Sequence, residues 1–196
     1  YFHKANCYAA LRMIERKDVD DTWSWHRERL VAEILNPRKA VAESGFEKLD
    51  EIMQCKILTN IANGMSSLGR VIESISYYEK ALSRIDNFAM ALGNKAIGQV
   101  HYGQHLYDPG HSGIFFFHAN KELNRFGSEP ILWDCGIQQD ALETFMGYRD
   151  FTEDVLEDIE FDSKFDFNNF SLGKHQKEQD YRRWCLQHKL FINPLN

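Results

Sequence analysis

The chain has 196 residues, of which 43% are apolar or aromatic and 27% are charged, and its net charge at pH 7 is −6. These fractions are those of a globular domain, so they exclude intrinsically disordered and fibrous proteins. The acidic balance argues against binding nucleic acid over the whole surface, although it leaves a local basic patch open.

The cysteines and the hydropathy pattern bear on the cellular compartment. Cys7, Cys55, Cys135 and Cys185 form no C-x-x-C pair, so the sequence suggests neither a zinc ribbon nor a thioredoxin-type site. Widely spaced thiols are typical of a reducing compartment, and the chain has neither an apolar run of membrane-spanning length nor a signal peptide. We therefore expect a cytoplasmic protein without a membrane partner. Because the first residues already read as the middle of a helix, we expect a piece of a larger protein.

Apolar residues recur at helical spacing along most of the chain, and the breaks between them contain charged clusters, glycine or proline. The predicted helices, in chain order, are 1–15, 23–35, 37–43, 46–68, 70–84, 88–106, 111–125, 137–160 and 176–188. Pro37 lacks an N–H and clashes with the preceding turn, so we expect it to kink its helix or to start a new one. A break near Asp150 is left open, and 161–174 is predicted to be a loop. The chain is thus predicted to be all-α.

The stretch 55–88 carries a pattern of large and small residues over the 34-residue length of a tetratricopeptide repeat (TPR). The large residues of the pattern are Leu58, Ile61, Met65 and Tyr78, and the small ones are Ala62, Ser74 and Ala81. Gly69 stands at the turn, and Asp86 replaces the usual proline. The stretch therefore resembles a TPR. Because one such hairpin cannot bury its own apolar face, neighbouring hairpins must stack on it.

Degenerate copies of the pattern flank this clear repeat. Residues 1–11 match the later part of a first helix A, with Ala5 at the small position, and a third copy begins at Ala89, with Lys95 at a usually apolar place. The resemblance implies antiparallel helix hairpins stacked as a TPR-like right-handed superhelix over 1–125. Residues 126–196 would form a helical extension, or linker, toward a missing C-terminal domain.

A second resemblance involves the segments NFAMALGNKAIG, LYDPGH and FSLG, and the terminal YRRWCLQHKLFINPLN. Together they are similar to bacterial proteins in which degenerate TPR helices precede a HEPN domain, a helical bundle that often acts as a metal-independent ribonuclease. The resemblance implies that this chain is the recognition or regulatory half, which is not itself an enzyme. RNA would then be a partner only of a downstream domain.

The alternative is a fragment of such a ribonuclease. Arg183 and His188 match its Arg-x4-His motif, with His as general base and Arg on the phosphate. With this many arginines and histidines, about one such match is expected by chance, so the motif is weak. His101 and His105 could present two imidazoles to zinc, but no H-E-x-x-H motif accompanies them. The carboxylates of 153–160 fit a solvated face better than a calcium loop. We expect no metal and no cofactor.

A ligand groove is predicted from the helix A positions that face away from helix B in a TPR array. The residues expected to bind along it are Asn6, Lys56, Asn60, Asn63, Gly93, Asn94 and His101. Asparagine carries both a donor and an acceptor, so it can bind an extended peptide backbone. Gly93 would allow close approach. The expected partner is a neutral protein or peptide segment, or the protein's own C-terminal domain. Alanine at both Asn60 and Asn63 should weaken binding with an unchanged melting curve.

Overall fold

The computed structural model describes residues 1–17, 27–106, 109–134 and 138–158. Over these residues it contains seven α-helices, one short 3₁₀ turn and no β-strand. The elements are α1 (Phe2–Lys17), α2 (Arg27–Ala42), the 3₁₀ turn (Phe46–Lys48), α3 (Glu51–Ser67), α4 (Val71–Leu82), α5 (Ala89–Gln104), α6 (Pro109–Ser128) and α7 (Gln138–Asp158). The predicted all-α class is confirmed.

The chain divides into two compact units, an N-terminal unit of Tyr1–Ala91 and a C-terminal unit of Leu92–Asn196. The predicted division at residues 125 and 126 concerned where the repeats end, and it stays a prediction.

In the N-terminal unit, helices that are adjacent in the sequence pack on each other, α1 on α2, α2 on α3 and α3 on α4. The α2–α3 contact is close at Gly64, where an added Cβ would lie 2.5 Å from Cγ1 of Ile34. Between α1 and α2, the guanidinium of Arg12 donates to both carboxylate oxygens of Glu33, at 3.0 and 3.3 Å. Both side chains of this ion pair are largely buried, so the pair fixes how α1 sits on α2.

The α3–α4 hairpin contains most of the stretch 55–88 that resembles a TPR, and its turn is built around Gly69. Gly69 has φ 74°, a left-handed conformation that glycine adopts without a Cβ penalty. The Arg70 N–H donates to the Met65 carbonyl and the Gly69 N–H to the Ser66 carbonyl, the two bonds of a Schellman motif. All seven pattern residues of the hairpin are buried, Tyr78 and Ala81 among them. The predicted burial of Tyr78 and Ala81 and the predicted turn at Gly69 are confirmed.

Proline 37 does not start a new helix, which corrects the predicted division into 23–35 and 37–43. The helix α2 runs through Pro37 from Arg27 to Ala42. The proline ring is buried, so its packing offsets the hydrogen bond that proline cannot make. The preceding residue, Asn36, donates its side-chain amide to the Ala32 carbonyl at 2.7 Å, which gives that carbonyl an additional donor.

The predicted helix 46–68 is wrong at its start, because α3 begins only at Glu51. Residues 46–48 form the separate 3₁₀ turn, which is anchored by the buried side chain of Phe46. The carboxylate of Asp50 then accepts the Met53 N–H at 2.9 Å, so Asp50 is the N-cap of α3. This N-cap separates the 3₁₀ turn from α3, so the two are not one continuous helix.

In the C-terminal unit α6 packs on α7. Their interior contains buried side chains from both helices, Ile114, Phe116, Ala119, Leu123, Ala141 and Phe145. Of the three consecutive phenylalanines of α6, Phe115 and Phe116 are buried and Phe117 is half-buried. The helix α7 continues through Asp150 without a break. Within the described ranges, no helix has both the length and the apolar character needed to cross a bilayer.

Candidate functional site

Two of the predicted groove residues form a side-chain amide pair between α1 and α3. Asn60 Nδ2 donates to Asn6 Oδ1 at 3.0 Å, although the residues are far apart in the sequence. Asn6 is exposed and Asn60 half-buried. Each amide offers further hydrogen bonds, and the described residues supply no partner to Asn6 Nδ2 or Asn60 Oδ1. The pair therefore leaves one donor group, on Asn6, and one acceptor group, on Asn60, available at the surface of the N-terminal unit.

Asn63 has a different role, because it accepts a hydrogen bond from the fold itself. The hydroxyl of Tyr78 on α4 donates to Asn63 Oδ1 at 2.6 Å. Burial raises the pKa of Tyr78 well above its ordinary value, so the phenol is neutral and is a hydrogen-bond donor. The predicted unchanged melting curve for a double alanine variant at Asn60 and Asn63 is therefore no longer expected. Alanine at 63 would leave a buried hydroxyl without this acceptor.

Lys56 lies on α3, one turn before Asn60, and is half-buried. It takes part in interactions within the described structure, so it is not a free cation awaiting a ligand. The N-terminal unit thus brings together Asn6 and Asn60 and assigns Asn63 to the α3–α4 contact.

The remaining predicted groove residues belong to the C-terminal unit. At Gly93 the close approach is made by Phe145 of α7, since a Cβ on Gly93 would lie within 2.5 Å of three atoms of that ring. The glycine thus allows α5 and α7 to pack closely, and the room expected for a peptide at this residue is filled. Asn94 follows it on α5, is half-buried, and already interacts with its surroundings.

His101 is bound to a tyrosine that the sequence reasoning did not single out. Its Nε2 lies 2.8 Å from the hydroxyl of Tyr148 on α7, and the two rings meet edge to face. Partial burial, and secondly the nearby His105, lower the pKa of His101 below its ordinary 6.5. His105 donates its Nδ1–H to the His101 carbonyl at 2.6 Å. No group of three or more metal-binding side chains occurs in the part of the chain that the structure describes.

Arg183 and His188 lie outside the described residues, so the structure places neither of them. Glu153, Asp154 and Glu157 are exposed on α7, as expected of a solvated face. Residue spacing could not identify Tyr78 as the partner of Asn63, or Tyr148 as the partner of His101, because the two residues of each pair lie on different helices.

Comparisons of this chain with models of protein families, with curated proteins and with solved structures find no match.

Proposed function

We propose that this chain is a TPR-like helical-repeat module that binds an extended, uncharged protein segment across α1 and α3. The observation that carries the proposal is the exposed Asn6–Asn60 hydrogen bond, which leaves the Asn6 donor and the Asn60 acceptor available to a ligand. A peptide group in an extended chain offers one N–H and one C=O, so it can satisfy both. The same pair explains why we propose a neutral segment, since neither amide carries a charge.

The repeat pattern supports the TPR-like part of the proposal. The α3–α4 hairpin buries every large and small residue of the pattern, and consecutive helices of the N-terminal unit pack on each other in sequence order. In a repeat array such hairpins leave one helix of each pair facing a common ligand surface. The resemblance to HEPN-associated proteins adds a further proposal, that this chain is the recognition or regulatory half of a HEPN-containing protein. The bound segment would then be part of another protein or of its own C-terminal domain.

A peptide selection tests the proposed binding. Random dodecapeptides displayed on phage are selected against the chain, and the Kd of the selected peptide is then measured by fluorescence anisotropy. We expect uncharged sequences to be enriched. Asn6→Ala and Asn60→Ala should each weaken binding about 5- to 10-fold, the value of one or two neutral hydrogen bonds. Because the two amides act as a pair, the double variant should lose less than the sum of the single losses.

Asn124→Ala is the matched control. Asn124 also donates its amide to another asparagine, Asn120, at 2.8 Å, but both lie one turn apart on α6. Asn124→Ala should therefore leave the Kd of the selected peptide unchanged. Selected peptides whose affinity is the same for wild type, Asn6→Ala and Asn60→Ala would show that the amide pair is not the binding site.

A further inference from the structure

The C-terminal unit contains a shallow pocket beside α7 that the predicted groove does not include. It has a volume of about 290 Å³ and is lined by the end of α5 and one face of α7, namely Gln104, Glu143, Thr144, Gly147, Tyr148 and Phe151. We refer to it as the α7 pocket. Ligand pockets for small molecules start at about 300 Å³, so this volume suits one side chain of a partner better than a whole cofactor.

Two aromatic rings line the α7 pocket, and each is held by a neighbouring helix. Tyr148 is bound through its hydroxyl to His101 of α5, at 2.8 Å. The ring of Phe151 packs edge to face on Phe116 of α6, with the ring centres 6.0 Å apart. Since both rings are already fixed, a ligand loses little free energy in ordering them. Aromatic faces attract cations, above all guanidinium and ammonium groups.

Gly147 is unusual because it lies in the interior of the 21-residue helix α7. Glycine destabilises a helix interior relative to alanine. Nothing within the described structure lies within 4 Å of a Cβ built on Gly147, so packing does not require the glycine there. Since Gly147 lines the α7 pocket, a methyl group at this position would occupy part of it. The bare backbone is therefore suited to the close approach of a ligand.

The charge around the α7 pocket selects the class of ligand. The carboxylate of Glu143 lines it, accepts a hydrogen bond from Gln139 at 3.2 Å, and has no basic partner within the described ranges. Further exposed carboxylates share this face of α7 at helical spacing, Asp140, Asp150, Asp154 and Glu157. Arg149 of the same helix is paired with Asp150 at 2.7 Å. An anionic ligand would be repelled, whereas a cation would be attracted.

We propose that the α7 pocket binds the cationic side chain of an arginine or lysine from a basic segment of a partner protein. The side chain lies against the backbone at Gly147, between the rings of Tyr148 and Phe151, with its charge on Glu143. An acidic helix face alone would be merely solvated. The pocket differs from such a face by its two fixed aromatic rings, its concave shape and its bare backbone.

An NMR titration of the full chain tests the proposal with N-acetyl-arginine amide as the probe and N-acetyl-citrulline amide as its neutral isostere. Arginine should shift the amide signals of Gly147 and Tyr148 at concentrations where citrulline shifts neither. Glu143→Gln should weaken arginine binding about tenfold, because it removes a charge-assisted contact. Gly147→Ala should also weaken binding about tenfold, while raising the melting temperature, so its loss of binding cannot be a failure to fold.

Two matched controls separate the pocket from the general acidity of α7. Glu153→Gln removes an exposed carboxylate of the same helix that does not line the pocket, and it should change arginine affinity less than twofold. Gly127→Ala fills an equally open glycine of α6 and should leave binding unchanged. Equal shifts with arginine and citrulline would overturn the proposal, as would equal effects of Glu143→Gln and Glu153→Gln, or undiminished binding by Gly147→Ala.

Discussion

Removing either partner of the Tyr78–Asn63 hydrogen bond should destabilise the protein, but the two substitutions should cost different amounts of free energy. Tyr78 is 2% exposed, and its hydroxyl donates to Asn63 at 2.6 Å. Asn63→Ala strands that buried hydroxyl, which should cost about 1–3 kcal/mol of unfolding free energy. Tyr78→Phe keeps the ring and removes the hydroxyl. Because Asn63 is only half-buried, its amide oxygen is left less isolated from water, and we expect a smaller loss, about 0.5–1.5 kcal/mol.

The double variant Asn63→Ala/Tyr78→Phe distinguishes the energetic effect of this hydrogen bond from that of the other contacts of Asn63. In the Tyr78→Phe background no hydroxyl is left to strand, so Asn63→Ala should cost at least about 1 kcal/mol less than it does in the wild type. Urea unfolding of the four proteins, with an unchanged m-value, measures the difference. Asn124→Ala, at an exposed site, should stay within about 0.5 kcal/mol of wild type. If Asn63→Ala costs the same in both backgrounds, the hydrogen bond does not cause the loss and the reasoning fails.

The remaining predictions concern the titratable groups Cys55 and His101 and the accessibility of the thiols. Burial raises the pKa of the Cys55 thiol from 9.0 to about 11. The neutral thiol therefore contributes its full stabilisation below pH 9.0, and this stabilisation is lost as the pH rises to about 11. Cys55→Ala should abolish this pH-dependent loss. Alkylation at pH 8 followed by mass spectrometry should modify the exposed Cys7 and spare Cys55; equal labelling would contradict its burial. Because the pKa of His101 is lowered, the contribution of the neutral imidazole to the free energy of unfolding should decline as the pH falls below 6.5. In acid unfolding curves, His101→Gln should make this decline smaller.

The parts of the fold that local sequence determines could be predicted. The α3–α4 hairpin follows from a glycine suited to a left-handed turn and from small and large residues at fixed spacing, all within 55–88. The start of α3 was also readable in principle, because Asp50 is a strong N-cap residue three positions before Met53. The long run of helical spacing from residue 46 obscured it.

Features that depend on distant residues could not be predicted. Pro37 lies within α2 because its ring is buried, and burial is a property of the packed protein, not of the local sequence. Gly93 accommodates Phe145, which is far away in the sequence, so spacing alone suggested an open groove. In the same way, helix periodicity assigned Asn60 and Asn63 to one stripe but could not show which amide would meet a tyrosine.

Different residues of α3 contact different neighbouring helices. These contacts limit which residues of α3 are available to a ligand. Asn63 meets α4 through Tyr78, Gly64 meets α2 through Ile34, and Asn60 meets α1. The last contact joins α1 to α3 through one exposed hydrogen bond between side chains. A peptide bound to both amides of that pair would hold α1 and α3 together. Binding of the proposed peptide would then depend on the packing of α1 on its unit, and it would in turn stabilise that packing.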